Sequence, residues 1–307
     1  TGNKQTFFIP IVSSSPDNNL VGSDLPESKL DLKPIDTVSN IESEEFSRSY
    51  FKPLLPLVMQ DMAKDWPALD KWSPEFFKEQ HGNKQVKVYD SSFVSAGKNY
   101  MSKSKSINFK DYIDAVVTKE QDLRMFLYNI KSEIPELVDD IAFPAILKGI
   151  SRNFVFMFFG CKGSVTQMHF DIDMSHVLHT ALYGKKTVYL FSHEQGKNLH
   201  GYPFTCRSYV DVERPDFNQF PGLKHLDGYK VVLERGETLY IPSGYWHHFV
   251  YDEPSYAISL RCASQTWKGK LHGVLNLLLL SPIDRLMNKI SPQSWFNWKQ
   301  QQALKTH

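Results

Sequence analysis

His169 and Asp171 stand two residues apart in a β-patterned stretch, so a strand would put both on one face and turn Phe170 to the other. Trp246-His247-His248, in what reads as a later strand of the same sheet system, supplies a third donor of the same kind. Two imidazoles and one carboxylate suit Fe(II) and leave coordination positions for a cosubstrate and O₂. His247 and His248 are adjacent, so only one of them can face His169 and Asp171, and both faces of that segment are apolar enough to be interior. Spacing leaves the choice open. His225-Leu226-Asp227 repeats the His-x-Asp pattern, but Pro221-Gly222 before it and Gly228 after it make it turn chemistry. His176, His179, His193 and His200 read more readily as satisfied or surface polar residues than as ligands.

A carboxylate-bearing cosubstrate needs a cation beside the metal. Gly184-Lys185-Lys186-Thr187-Val188 offers two at a strand start, and Lys186, which begins the apolar run, is the one expected to point inward. Arg261, in the last predicted strand, is a rival anchor able to bind a carboxylate through two donors.

These side chains must be positioned by a β-rich core. Between Asn153 and Ser264 short apolar runs alternate with Gly, Pro and Asp: 154–159, 167–172, 177–183, 186–191, 229–234, 237–242, 246–251 and 256–262. No helical pattern long enough for a crossover separates successive runs, which predicts mainly antiparallel strands in a sandwich or small barrel. Residues 1–33 form an irregular leader rich in Ser, Pro, Asp and Asn, and residues 34–150 mix short helices with short strands in a part that packs on the core. Ser39 to Glu42 has the form of a capping box, Ser73-Pro74 opens a helix closed at Gly82, and 108–118 and 133–141 are predicted helices. The core occupies 151–265 and helices fill 266–307, with fresh starts at Ser281-Pro282 and Ser291-Pro292. The 35 Lys and Arg against 34 Asp and Glu leave a net charge of +1, so no global field draws the chain to nucleic acid or an anionic membrane. The longest apolar run is too short to span a bilayer. Three cysteines without a CxxC pair argue against a disulfide framework and favour a reducing, cytoplasmic compartment.

Four stretches carry a resemblance. They are Gly163-Ser164-Val165-Thr166-x-x-His169-x-Asp171, Gly184-x-Lys186, Val210-Asp211-x-x-x-Pro215-Asp216-Phe217-x-x-Phe220-Pro221, and Gly236-Glu237-Thr238-Leu239-Tyr240-Ile241-Pro242-x-x-x-Trp246-His247-His248. Together they resemble the JmjC and cupin-type 2-oxoglutarate oxygenases, with the nearest likeness to the asparaginyl hydroxylases that act on hypoxia-inducible factor. The resemblance implies a double-stranded β-helix (jelly-roll) core with flanking N- and C-terminal helices, and Fe(II) held by His169, Asp171 and His247. It further implies 2-oxoglutarate anchored by Lys186 and Thr166, and Tyr128 near a position that contacts the cosubstrate, where the alignment of that strand puts Phe126 instead. Two departures stand out: Val177 where an Asn is usual, with His176 or His179 as substitutes, and Arg261 where a second Asn is usual.

The function expected from this reading is hydroxylation of a C–H bond by a 2-oxoglutarate-dependent dioxygenase, on a protein or peptide side chain. The alternatives are a small-molecule or RNA hydroxylase of the same chemistry and a non-catalytic metal-binding cupin module. An RNA partner is disfavoured by the missing basic excess. The apolar run Leu271 to Leu280, followed by Leu286 and Met287, exceeds what one helix needs to cover a barrel end, and predicts a homodimer through the C-terminal helices.

Overall fold

A computed structural model describes residues 29–93, 95–98 and 105–305. The expected leader therefore lies, up to residue 28, outside the described residues. Strands are β1 (Thr37–Val38), β2 (Leu57–Met59), β3 (Gln85–Val88), β4 (Lys105–Asn108), β5 (Arg124–Asn129), β6 (Ile150–Gly160), β7 (Val165–His169), β8 (His176–Tyr183), β9 (Lys186–Phe191), β10 (Gly228–Leu233), β11 (Thr238–Ile241), β12 (Trp246–Tyr251) and β13 (Ser255–Cys262). They form a seven-stranded sheet in the order β1-β2-β11-β8-β13-β6-β5, a four-stranded sheet β10-β9-β12-β7, and the β3-β4 hairpin. Every pairing between these strands is antiparallel except β1 with β2.

The core strands read as apolar runs because both faces of both sheets are covered. Val177, Ala181, Val188, Leu239, Ile241 and Phe249 meet between the sheets. Leu178, Met157, Phe159 and Tyr256 point to the outer face of the large sheet, where Phe46, Trp72, Phe77 and Phe109 cover them. Met168, Phe170, Phe191 and Trp246 point outward from the small sheet and are roofed by the 199–226 segment through Leu199, Val210 and Leu223. Burying each such side chain contributes roughly 1.5–3 kcal/mol. The β8–β9 turn depends on Gly184, whose φ of +62° suits glycine and whose Cβ, if present, would lie 2.0 Å from the Pro254 carbonyl oxygen. The 34–150 part is stitched into the core: β1, β2 and β5 join the large sheet, and the Trp72 indole donates to Asp140 at 2.8 Å.

Helices are α1 (Ser43–Phe46), α2 (Pro67–Lys71), α3 (Pro74–His81), α4 (Phe109–Thr118), α5 (Ile130–Glu133), α6 (Trp267–Leu275), α7 (Ser281–Ile290) and α8 (Pro292–Leu304). Ser73 caps α3 by accepting the Phe76 N–H at 3.1 Å. Three local expectations differ. Ser39 is not a cap, because α1 begins after Glu42 and the Ser39 hydroxyl donates to Gln60 instead. The 133–141 helix is a 3₁₀ turn over Pro135–Asp140, since Pro135 removes an N–H from an α-helical ladder that α5 has already begun. Ser281-Pro282 does not open a new helix: a π-helical stretch, Asn276–Leu280, carries α6 into α7, and its wider turn accommodates the missing proline N–H. Among the described residues no helix is long and apolar enough to cross a membrane. Cys161, Cys206 and Cys262 are buried free thiols.

Candidate metal centre

β7 and β12 bring the first donors together. His169 and His247 are direct partners in the antiparallel register, with ring centroids 4.2 Å apart. The β7 strand stops at His169, short of the expected 172, and Asp171 sits in the turn that follows, its carbonyl accepting from Met174 N–H at 2.9 Å. Phe170 still points to the opposite face, against Trp246. One ligand atom from each of His169, Asp171 and His247 lies within 4.8 Å of the other two. His248, on the reverse face of β12, donates to Glu213 at 3.2 Å and packs against Tyr189.

Both histidines of the cluster are oriented in the same way. His169 Nδ1 bonds the Gln167 carbonyl at 2.8 Å, and His247 Nδ1 bonds the Tyr245 carbonyl at 3.0 Å. Nδ1–H donation fixes the tautomer that leaves each Nε2 as a free lone pair, the form a metal ligand requires. Burial, together with His247 and the nearby Arg207, pushes His169 well below the usual imidazole range. Burial likewise lowers His247 against the opposing pull of Asp171. Neutral imidazoles with a carboxylate fit a divalent ion of the Fe(II) type.

The cleft runs from this cluster between the two sheets, and Thr166, His179, Tyr251, Ser259 and Arg261 line it. Lys186 is fully buried in register with Tyr251, its Nζ 4.5 Å from that ring and without a hydrogen-bond partner among the described residues. Burial lowers it to about 7. Lys185 points outward to Glu253 at 3.0 Å. Thr166 lies beside the Tyr251 hydroxyl. A buried ammonium without an acceptor is costly, so the interior behind the cleft, where Lys186 lies against the lining residue Tyr251, fits an anionic guest. A bulge in β7 puts Thr166 on the face of His169: Gln167 and Met168 together oppose the single residue His248 on β12, so positions three apart share a face.

On the opposite wall, Val177 and His179 of β8 face inward. His179 Nδ1 bonds Ser259 Oγ at 2.8 Å, while its Nε2 is buried without a partner among the described residues. His176, three positions back, faces the other way, with Nδ1 against the Tyr240 hydroxyl at 2.9 Å and the Phe51 ring 4.6 Å off. Only His179 of the two can substitute in the cleft. Arg261 bonds Asp171 at 2.7 Å.

Tyr128 stands apart. A bulge between Met125 and Tyr128, with Leu127 at φ +52°, turns it to the face of Met157, where it packs against the outer cluster near Phe109. It therefore faces the outer side of the large sheet, away from His169, Asp171 and His247, and the sequence expectation is corrected on this point. Phe126 pairs with Tyr89. Tyr251 and Ser259 were missed by the sequence reading, yet each had a signal: Tyr251 is four residues after His247 and Ser259 two before Arg261, on the same strand faces.

A closed jelly roll with two imidazoles and one carboxylate at its mouth, and a buried lysine inside, defines the class of metal-ready cupins. A family model described as a cupin-like domain matches residues 42–261, and the chain belongs to that family, within its JmjC group. It is 31% identical over 233 residues to JmjC domain-containing protein D of Dictyostelium discoideum, which covers 66% of this chain and 50% of that protein. It is 29% identical over 237 residues to lysine-specific demethylase JMJ30 of Arabidopsis thaliana, covering 73% and 53%. Likeness to tRNA wybutosine-synthesizing protein 5 of Homo sapiens is 22% over 241 residues, covering 72% and 75%. The chain spans about half the length of the first two relatives.

Proposed function

We propose that this protein is an Fe(II)- and 2-oxoglutarate-dependent dioxygenase that hydroxylates a C–H bond on a protein or peptide side chain. The observation that carries the reading is the convergence of His169, Asp171 and His247, with both imidazole Nε2 atoms left free by their backbone partners. His169, Asp171 and His247 would hold the metal. The ion, with 2-oxoglutarate and O₂, would supply the oxidising chemistry.

The chain's own residues do the rest. Lys186 would pair with the far carboxylate of 2-oxoglutarate, Thr166 and Tyr251 would share that carboxylate, and His179, held by Ser259, would support the chain of the cosubstrate between them. Phe158 and Phe249, packed against His179, keep water from this part of the cleft, which strengthens the Lys186 contact. A protein substrate is supported by the relatives named as lysine demethylases, and it agrees with a net charge of +1 that gives no reason to expect a polyanion. The second reading, an RNA substrate, is favoured by the relatives named as tRNA wybutosine-synthesizing proteins. Incubating the iron-loaded protein with peptide arrays and with bulk tRNA, and scoring a 16 Da gain by mass spectrometry, separates the two.

Three buried free thiols support a reducing, cytoplasmic setting. Self-association through the C-terminal helices is supported by Trp267, Leu278, Leu286 and Ile290, each more than half exposed.

A further inference from the structure

The two departures from the family pattern are one structural unit. Val177 and Arg261 are direct partners in register on β8 and β13. A short branched side chain at 177 leaves the inner face open to a long one at 261. Arg261 Nη2 donates to Asp171 Oδ1 at 2.7 Å, and Nη1 reaches Asp173 Oδ1 at 3.5 Å. One guanidinium thus joins the last core strand to both carboxylates of the 171–173 segment. The same segment is braced from the other side by α6 and its extension. Asn276 Nδ2 donates to the Ile172 carbonyl at 3.1 Å, and Gly273 lets the helix approach so closely that a Cβ there would lie 2.6 Å from the Asp173 oxygen.

The geometry points to Arg261 as the positioning residue of Asp171: it holds Oδ1, so that Oδ2 alone is presented to the ion. This rests on the reading of His169, Asp171 and His247 as an Fe(II) centre and deepens it. A carboxylate free to rotate must be ordered each time the ion binds, and that ordering is lost affinity. A guanidinium offers rigid, directional donors, and a charge-assisted bond to one oxygen, with both side chains largely shielded from solvent, resists that rotation. The second contact, to Asp173, fixes the guanidinium itself. Arg261 therefore acts through Asp171 and makes no claim on the cosubstrate's far carboxylate, which Lys186 serves.

The test is binding of Mn(II) alone, followed by electron paramagnetic resonance without 2-oxoglutarate or turnover, on the full chain. Arg261→Met should weaken Mn(II) binding by about 10–100-fold, the usual effect of removing a partner that orients a metal ligand. Arg261→Lys, whose single ammonium nitrogen cannot span both carboxylates, should fall between. Wild-type or tighter Mn(II) binding by Arg261→Met overturns the assignment. So does a defect confined to 2-oxoglutarate affinity, which makes Arg261 a cosubstrate anchor. Should the Met variant fail to unfold cooperatively, the Lys variant decides: weakened binding supports the assignment and wild-type binding overturns it. Absence of Mn(II) binding by the unsubstituted protein contradicts the metal centre itself, an outcome distinct from failure of the clamp.

Discussion

His169 and His247 face each other across β7 and β12, ring centroids 4.2 Å apart, each tied through Nδ1 to the carbonyl two residues before it. His248, one residue on, is tied to Glu213 on the far side of the sheet. His247→Ala should therefore abolish Mn(II) binding. His248→Ala should retain it and lose about 1–3 kcal/mol of stability, from the space left by a buried imidazole. Metal titration and thermal unfolding of the two variants check this pair; equal metal defects would break the assignment of faces.

Lys186 makes cosubstrate binding depend on pH. Its ammonium is held at about 7 by burial in the free protein, and a carboxylate partner raises it, because an opposite charge favours the protonated form. Binding therefore takes up a proton above pH 7. Affinity for 2-oxoglutarate should fall as pH rises from about 7, by up to tenfold per pH unit, until the bound-state value is reached. Calorimetric titrations at pH 6.5, 7.5 and 8.5 measure it, and Lys186→Met should flatten the slope. A wild-type affinity that does not change over this range contradicts the role of Lys186.

Gly160 leaves room for Tyr251. A Cβ at 160 would sit 2.4 Å from the Tyr251 ring, which in turn lies beside Lys186 and Thr166. Gly160→Ala should cost roughly 1–3 kcal/mol by overpacking. It should also raise the 2-oxoglutarate KM more than it lowers kcat, because the displaced ring belongs to the cosubstrate end. Denaturant unfolding and steady-state kinetics report the two effects separately.

The strands were legible because β8, β9, β12 and β13 are buried on both faces and bounded by Gly and Pro, so their apolar runs are continuous; β9 and β12 begin and end where the pattern places them. His169 and Asp171 were visible as donors by type and spacing, although Asp171 reaches the cluster from the turn after β7 and not from the strand. What was hidden depends on departures from the strand period of two. The β7 bulge brings Thr166 round to the cleft, a reading that rested on family resemblance, while the β5 bulge turns Tyr128 away from it. Ion pairs across elements were equally hidden: nothing near Arg261 in the chain announces Asp171, ninety residues earlier. The merging of α6 and α7 escaped because Ser-Pro is a helix start only when no π turn precedes it.

The C-terminal helices carry a prediction of their own. With Leu278 75% and Ile290 67% exposed, Leu278→Glu with Ile290→Glu should shift a dimer to monomer in equilibrium sedimentation while leaving thermal unfolding nearly unchanged, as expected of surface positions. A wild-type protein that sediments as a monomer at micromolar concentration removes the self-association surface.

The central claim is that three side chains form an Fe(II) centre serving 2-oxoglutarate. Release of labelled CO₂ from 1-¹⁴C-2-oxoglutarate tests it most directly, since it needs no knowledge of the physiological substrate. The account predicts iron-dependent release by the unsubstituted protein and none by His169→Ala or Asp171→Ala. Release that persists in both variants, or that iron does not stimulate, would contradict it.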